Sequence, residues 1–158
     1  MSVLALFRWC ENTAVGEAVR NSRWMFPVVE AGHLIALAVM GAAVLIVDLR
    51  LWGFGLRRRS VAEVATSAEP LLVGGFAAML ITGYMLFAAE ASLYYYNAAF
   101  WLKMIALFLA VLFTLTVRRN VAMADPERVG PFWGRFVALV SMALWSGVGI
   151  AAKAIGLY

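Results

Sequence analysis

The sequence predicts an all-α integral membrane protein, a four-helix up-down bundle preceded by a short amphipathic helix. Three observations carry that prediction. Four continuous apolar runs of roughly 20 residues occur, each reaching about 30 Å as helix. Of 158 residues, 65% are hydrophobic and only 14% charged, too few polar groups to cover a soluble domain of this size. Arginines and tryptophans gather at the ends of the runs, as they do at membrane–water boundaries. Strands are excluded because the runs are continuous rather than alternating and too long for a transmembrane barrel.

Taken in chain order, residues 1–22 form an interfacial segment. Val3, Leu4, Leu6, Phe7 and Cys10 share one flank at helical spacing, interrupted by Arg8, Glu11 and Asn12. This start lacks a basic leader and a small-residue cleavage site, so it is not expected to be a removable signal peptide. Spans follow at 26–47, 70–89, 98–117 and 132–152, and the whole of 1–158 reads as one transmembrane domain. Pro27, Pro70 and Pro131 fall at or beside the expected helix starts, where a missing amide costs little. Trp24 and Trp101 mark one membrane edge, Trp52 and Trp133 the other. Short connections between successive spans imply antiparallel neighbours.

Charge sets the expected orientation. The connection after the first span carries Arg50, Arg57, Arg58 and Arg59; that after the third carries Arg118, Arg119, Arg128 and Arg135. Residues 90–97 have no Lys or Arg and hold Tyr94, Tyr95 and Tyr96. The positive-inside rule then places both termini and the tyrosine-rich connection outside the cytoplasm, in a bacterial inner membrane. Arg8, Arg20 and Arg23 of the N-terminal segment act against this orientation. The arginines sit beside apolar runs instead of lining a basic face, so nucleic acid is not an expected partner.

Ionisable groups inside spans are expensive and each needs a reason. Glu30, His33, Leu37, Met40, Gly41, Val44 and Asp48 fall on one flank of the first span, which should face the bundle interior. Lys103 lies with Ala99, Ala106, Ala110 and Thr114 on a stripe of the third, and small residues of this kind let membrane helices approach closely. The second span contributes Gly75, Ala78, Thr82 and Ala89, and the fourth Gly134, Ala138, Ser141, Trp145 and Gly149. Tyr84 lies opposite the small stripe and is left out of the site, while Asp48 reads as an ion-pairing feature beside Arg50. Glu30, His33, Glu90 and Lys103 converge on one half of the bundle. The plain reading is that these groups hydrogen-bond and ion-pair between helices, Lys103 pairing with Glu30 or Glu90 or snorkelling to the outer interface. The functional reading is haem: imidazole is the usual axial ligand, and a four-helix bundle can hold a porphyrin. His33 would be the metal ligand, with Met40, Lys103 or water as a second ligand, a five-coordinate iron, or a haem between two subunits, and Glu30 the acceptor that orients the His33 ring. One histidine cannot supply both axial positions, and no CxxCH motif for covalent attachment is present.

The run from Phe26 through Glu30 and His33 to Leu34, followed by Asp48-Leu49-Arg50-Leu51-Trp52-Gly53, resembles small bacterial four-helix membrane proteins of unassigned function. More distantly the layout is similar to the copper-resistance D family and the membrane-bound protoporphyrinogen oxidase family. His33 and Trp101-Leu102-Lys103 carry that likeness, which implies haem binding or porphyrin chemistry at His33 and Lys103. The further histidines of those relatives have no counterpart here. The expectation is therefore a haem b protein moving electrons between a periplasmic redox partner and membrane quinone. The alternatives are an accessory or scaffold subunit of a larger complex or homo-oligomer, and a small proton or copper transporter.

Overall fold

The computed structural model describes residues 2–55, 58–124 and 130–155, and all regular structure among them is helical. Two short helices, α1 (Val3–Glu11) and α2 (Ala14–Asn21), precede the first span, α3 (Met25–Trp52). The second span is α4 (Val61–Ala89), followed by a single turn-and-a-half, α5 (Ala91–Tyr95). The third begins as α6 (Ala98–Phe113), passes through a π segment (Thr114–Arg118) and ends as α7 (Arg119–Met123); the fourth is α8 (Pro131–Ile155). All four are long and apolar enough to cross a bilayer, so the chain is a multi-pass membrane protein and an up-down bundle.

The spans are longer than hydropathy alone predicts. α4 starts at Val61, which puts Pro70 inside the helix and not at its start. The reason is local. Ser60 and Glu63 form a capping box, each side chain bonding the other's backbone amide, so the helix nucleates in a polar stretch ahead of the apolar run. Val64 and Ala68 are buried there, while Thr66 and Ser67 face outward. α3 overruns to Trp52 and stops at Gly53, whose φ of 96° suits glycine; Phe54 N–H reaches back to the Leu49 carbonyl at 2.8 Å. Of the expected charge signals, Arg57 and Arg128 lie outside the described residues.

The first two spans pack most closely. Gly75 permits this: a Cβ there would stand 3.0 Å from the Cβ and backbone N of Met40. Span three packs along span four, and span four also along span one. Spans two and three, although joined by a short connection, meet through α7 at the end that carries the arginine-rich connections. At the opposite, tyrosine-bearing end α4 and α6 have no extended packing, so short connection length did not make them close neighbours along their length.

The π segment has a geometric purpose. Ala110, Thr114, Arg118 and Ala122 are all buried, a strict four-residue repeat. In an α-helix each four-residue step overshoots a full turn by about 40°. A wider π turn absorbs the excess and keeps these positions facing inward.

The N-terminal segment is more than a single amphipathic helix on the surface. α1 and α2 fold over the tyrosine end, α1 against α5 and α2 against the last turns of α4. Val19 is fully buried and Phe7 nearly so, whereas Val3 and Leu6 of the predicted apolar flank stay exposed. Glu11 fastens the layer: its carboxylate accepts from the Ser92 amide and hydroxyl and pairs with Arg20 at 3.4 Å. Arg20 also donates to the Ala89 carbonyl at 3.2 Å. Asn97 caps α6 through Oδ1 and donates from Nδ2 to the Ile155 carbonyl, tying spans three and four at this end.

Candidate functional site: a cavity at the tyrosine end

The gap between α4 and α6 is a cavity of about 640 Å³ reaching all four spans. That volume lies within the ordinary range for small-molecule and cofactor sites, roughly 300–1,000 Å³. Its floor is apolar, formed by Leu37, Met79, Leu107 and Val148. Its roof is aromatic. Phe87, Tyr94 and Phe100 lie nearly parallel, at interplanar angles of 16–18°, and Phe7 of α1 meets Phe87 edge-on with centroids 5.0 Å apart. Glu30, His33 and Lys103 bring polar chemistry to the walls.

His33 is held by span two. Its Nδ1 lies 2.9 Å from Thr82 Oγ1, and that hydroxyl in turn lies 2.7 Å from the Ala78 carbonyl. A hydroxyl has one proton, and the carbonyl can only accept it. The Thr82 oxygen is then the acceptor for His33 Nδ1–H, an arrangement that in the neutral imidazole puts the lone pair on Nε2. Gly83 leaves room for the ring, since a Cβ there would come within 3.2 Å of Cε1. Glu30, the acceptor expected from sequence, is exposed and is not the His33 partner. Thr82 takes that role. It lay on the predicted small stripe one helix away, but a threonine on a small stripe carries no mark of its partner.

Lys103 lines the same cavity as His33, as expected. The expected ion pair is absent: among the described residues no carboxylate approaches its ammonium within 4.0 Å. Met40 does not reach the cavity. It is fully buried one layer below, packed with Ala36 and Met79, which removes it as a second ligand in this arrangement. Tyr84, excluded by its position opposite the small stripe, does line the cavity wall at 44% exposure. A wide gap between two helices is bordered by flanks as well as by faces. Tyr94, in the connection, has its phenol pushed up to about 12, first by burial and then by the carboxylates of Glu90 and Glu30. It therefore stays protonated at physiological pH.

A second polar cluster lies at the other end of the bundle. Asp48 is fully buried; Arg118 Nε donates to its Oδ1 at 2.6 Å and Ser141 Oγ to its Oδ2 at 2.6 Å. Arg118 also donates to the Val44 carbonyl at 2.9 Å. One turn above, Trp145 Nε1 donates to Thr114 Oγ1 at 3.1 Å. The expected partner of Asp48, Arg50, instead bonds the Arg59 carbonyl. Arg118, read from sequence as a loop charge, is 5% exposed and belongs to the core. With both carboxylate oxygens and the guanidinium engaged, this cluster joins spans one, three and four and leaves no donor set for a ligand. Among the described residues no group of three His, Cys, Asp or Glu side chains is placed to hold a metal ion.

The architecture and these sites define a small four-span membrane protein with a cavity in one half. The chain belongs to a family of unknown function, DUF6644, whose profile matches residues 6–158. No curated protein and no solved structure matches it. No similarity to the copper-resistance D or protoporphyrinogen oxidase families is found, so the chemistry that likeness implies rests on His33 and Lys103 alone.

Proposed function

We propose that this chain is a haem- or porphyrin-binding protein that carries single electrons in one half of a bacterial inner membrane. The observation that carries the reading is one cavity lined by an imidazole whose Nδ1 is engaged by Thr82, an ammonium with no carboxylate partner among the described residues, and stacked aromatic rings. Haem supplies a one-electron iron couple when bound. His33 would hold the iron through Nε2, with Thr82 fixing the orientation of the ring from Nδ1. Lys103 neutralises a propionate, and the Phe87, Tyr94 and Phe100 rings offer flat apolar surface to the macrocycle. Met40, below the floor, would not hold the group, and Lys103 is the remaining side chain of the expected ligand pair at the cavity. The donor side is a periplasmic redox partner and the acceptor a membrane quinone, with both termini in the periplasm.

A purely structural role for Glu30, His33 and Lys103, as in a scaffold subunit, has Lys103 either paired with Glu30 or Glu90 or snorkelling to the interface. The pairing is not seen, since neither carboxylate lies within 4.0 Å of its ammonium. An uncompensated ammonium in a low-dielectric interior is costly, several kcal/mol in magnitude, and an anionic ligand removes that cost.

The test is the absorption spectrum of protein made under haem-replete conditions. A Soret band is expected, and His33→Ala should lose most of it while keeping its helical content. Colourless wild-type protein would end the proposal.

A further inference from the structure

The cavity has an opening that the site chemistry does not use. Phe7 and the stacked aromatics close its roof, and Phe7 itself is only 7% exposed. The side between α4 and α6 is different. At about 100° per residue, Leu80 and Tyr84 lie roughly 100° and 140° round α4 from Met79, which points into the core. On α6, Phe100 stacks on Phe87, so the flank shared by Phe100 and Met104 faces α4. Leu80, Tyr84 and Met104 thus border one gap, with Trp101 beside it. All four line the cavity, yet they are 50%, 44%, 41% and 40% exposed. Trp101 stands at the membrane edge, and the deeper rim is set to meet lipid. Leu80 lies nine residues from the end of α4, about 14 Å along the helix, which is well inside the hydrocarbon layer. No charged residue stands on this rim.

We infer that the gap between spans two and three is a lateral portal through which the cavity takes its ligand from the bilayer. Resting on the reading of the cavity as a porphyrin site, it identifies the ligand source as macrocycle already dissolved in the membrane. The distribution of groups fits this route. An apolar ring edge passes Leu80 and Met104 first, and its carboxylates then meet Lys103 while the ring centre reaches His33. Delivery from water would require the aromatic roof and the Glu11–Ser92–Arg20 fastening above it to open.

The experiment uses the full chain in proteoliposomes, with Cys10→Ser, Leu80→Cys and Met104→Cys joined by a cleavable bifunctional thiol reagent. Uptake is followed as growth of the Soret band after mixing with vesicles that carry haemin. Bridging is expected to slow uptake at least tenfold, and cleavage of the bridge to restore it; protein loaded before bridging keeps its spectrum. Leu80→Trp/Met104→Trp, which needs no reagent, should slow uptake in the same direction. Equal rates with and without the bridge would overturn the portal and leave the haem reading intact. Slowing by Leu34→Trp but not by the bridge would move the mouth beside span one and also overturn it. Failure of unbridged protein to load at all removes the porphyrin site and the portal together.

Discussion

Arg118 shows how far one residue's role depends on its partners. At the end of an apolar run it has the appearance of a topology signal, but its guanidinium turns inward to Asp48 and Val44. Removing one member of a buried ion pair leaves the other charged and desolvated, which costs about 3–5 kcal/mol. Arg118→Met is therefore expected to lower the unfolding free energy in detergent by about that amount. Asp48→Leu/Arg118→Met should lose less than either single change, because no lone charge remains. A double variant as unstable as the sum of the singles would show that the pair is not the stabilising unit. Thr82 governs the other end of the molecule. Thr82→Val keeps shape but removes the acceptor that orients the His33 ring, and loss of such a ligand-orienting bond typically weakens binding about 10–100-fold. Haem titration of the variant measures this, and unchanged affinity would place the orienting group elsewhere. Neither role was legible in the sequence. A buried arginine and a surface arginine look alike in sequence, and a threonine's partner is set by the register of two helices.

Elements were easier to read than partners, and the exceptions have local causes. The four spans were recoverable from apolar run length because lipid rewards that pattern directly. α4 began earlier than hydropathy indicated because Ser60-Val61-Ala62-Glu63 nucleates helix by hydrogen bonding, a signal present in the sequence but independent of hydrophobicity. The π segment was marked only by the four-residue repeat that ends in Arg118 and Ala122. α1 and α2 illustrate the opposite case: of the predicted apolar flank Phe7 is buried and Leu4 and Cys10 are half-buried, but Val3 and Leu6 are exposed. Besides the Glu11 and Arg20 bonds, the seating of this layer depends on close backbone approach at Gly16. A Cβ on Gly16 would stand 2.5 Å from the Ala88 carbonyl oxygen and 2.7 Å from that of Glu11, both rigid backbone atoms. Gly16→Ala must push α2 away from the end of α4, with an overpacking cost of about 1–3 kcal/mol. The expected result is faster proteolysis and hydrogen exchange within residues 2–22, with the four spans unchanged. Protection equal to wild type would mean that the N-terminal layer is not seated by this contact.

At the scale of the whole molecule, the bundle divides into two unlike halves. The half bearing the arginine-rich connections is closed by buried polar bonds among spans one, three and four, and the half bearing the tyrosines holds the cavity. Sequence placed His33 and Lys103 in the cavity half through helical spacing and depth, but the cavity's width was hidden. It follows from α4 and α6 parting above α7, which no single helix encodes. Orientation across the membrane decides which compartment the roofed cavity faces. Burial of Arg118 removes one charge from the topology signal, yet Arg50, Arg58, Arg59, Arg119 and Arg135 remain at one end. Arg8, Arg20, Arg23 and Lys153 stand at the other, and Arg20 is engaged with Glu11 and the Ala89 carbonyl. The proposed orientation, by the positive-inside rule, has the arginine-rich end in the cytoplasm. In a Cys10→Ser background, Tyr96→Cys, at a position 73% exposed, should react with a membrane-impermeant maleimide added to spheroplasts. Arg59→Cys should react only after lysis. The reverse pattern would turn the molecule over, place the cavity on the cytoplasmic side, and replace the periplasmic electron donor with a cytoplasmic one.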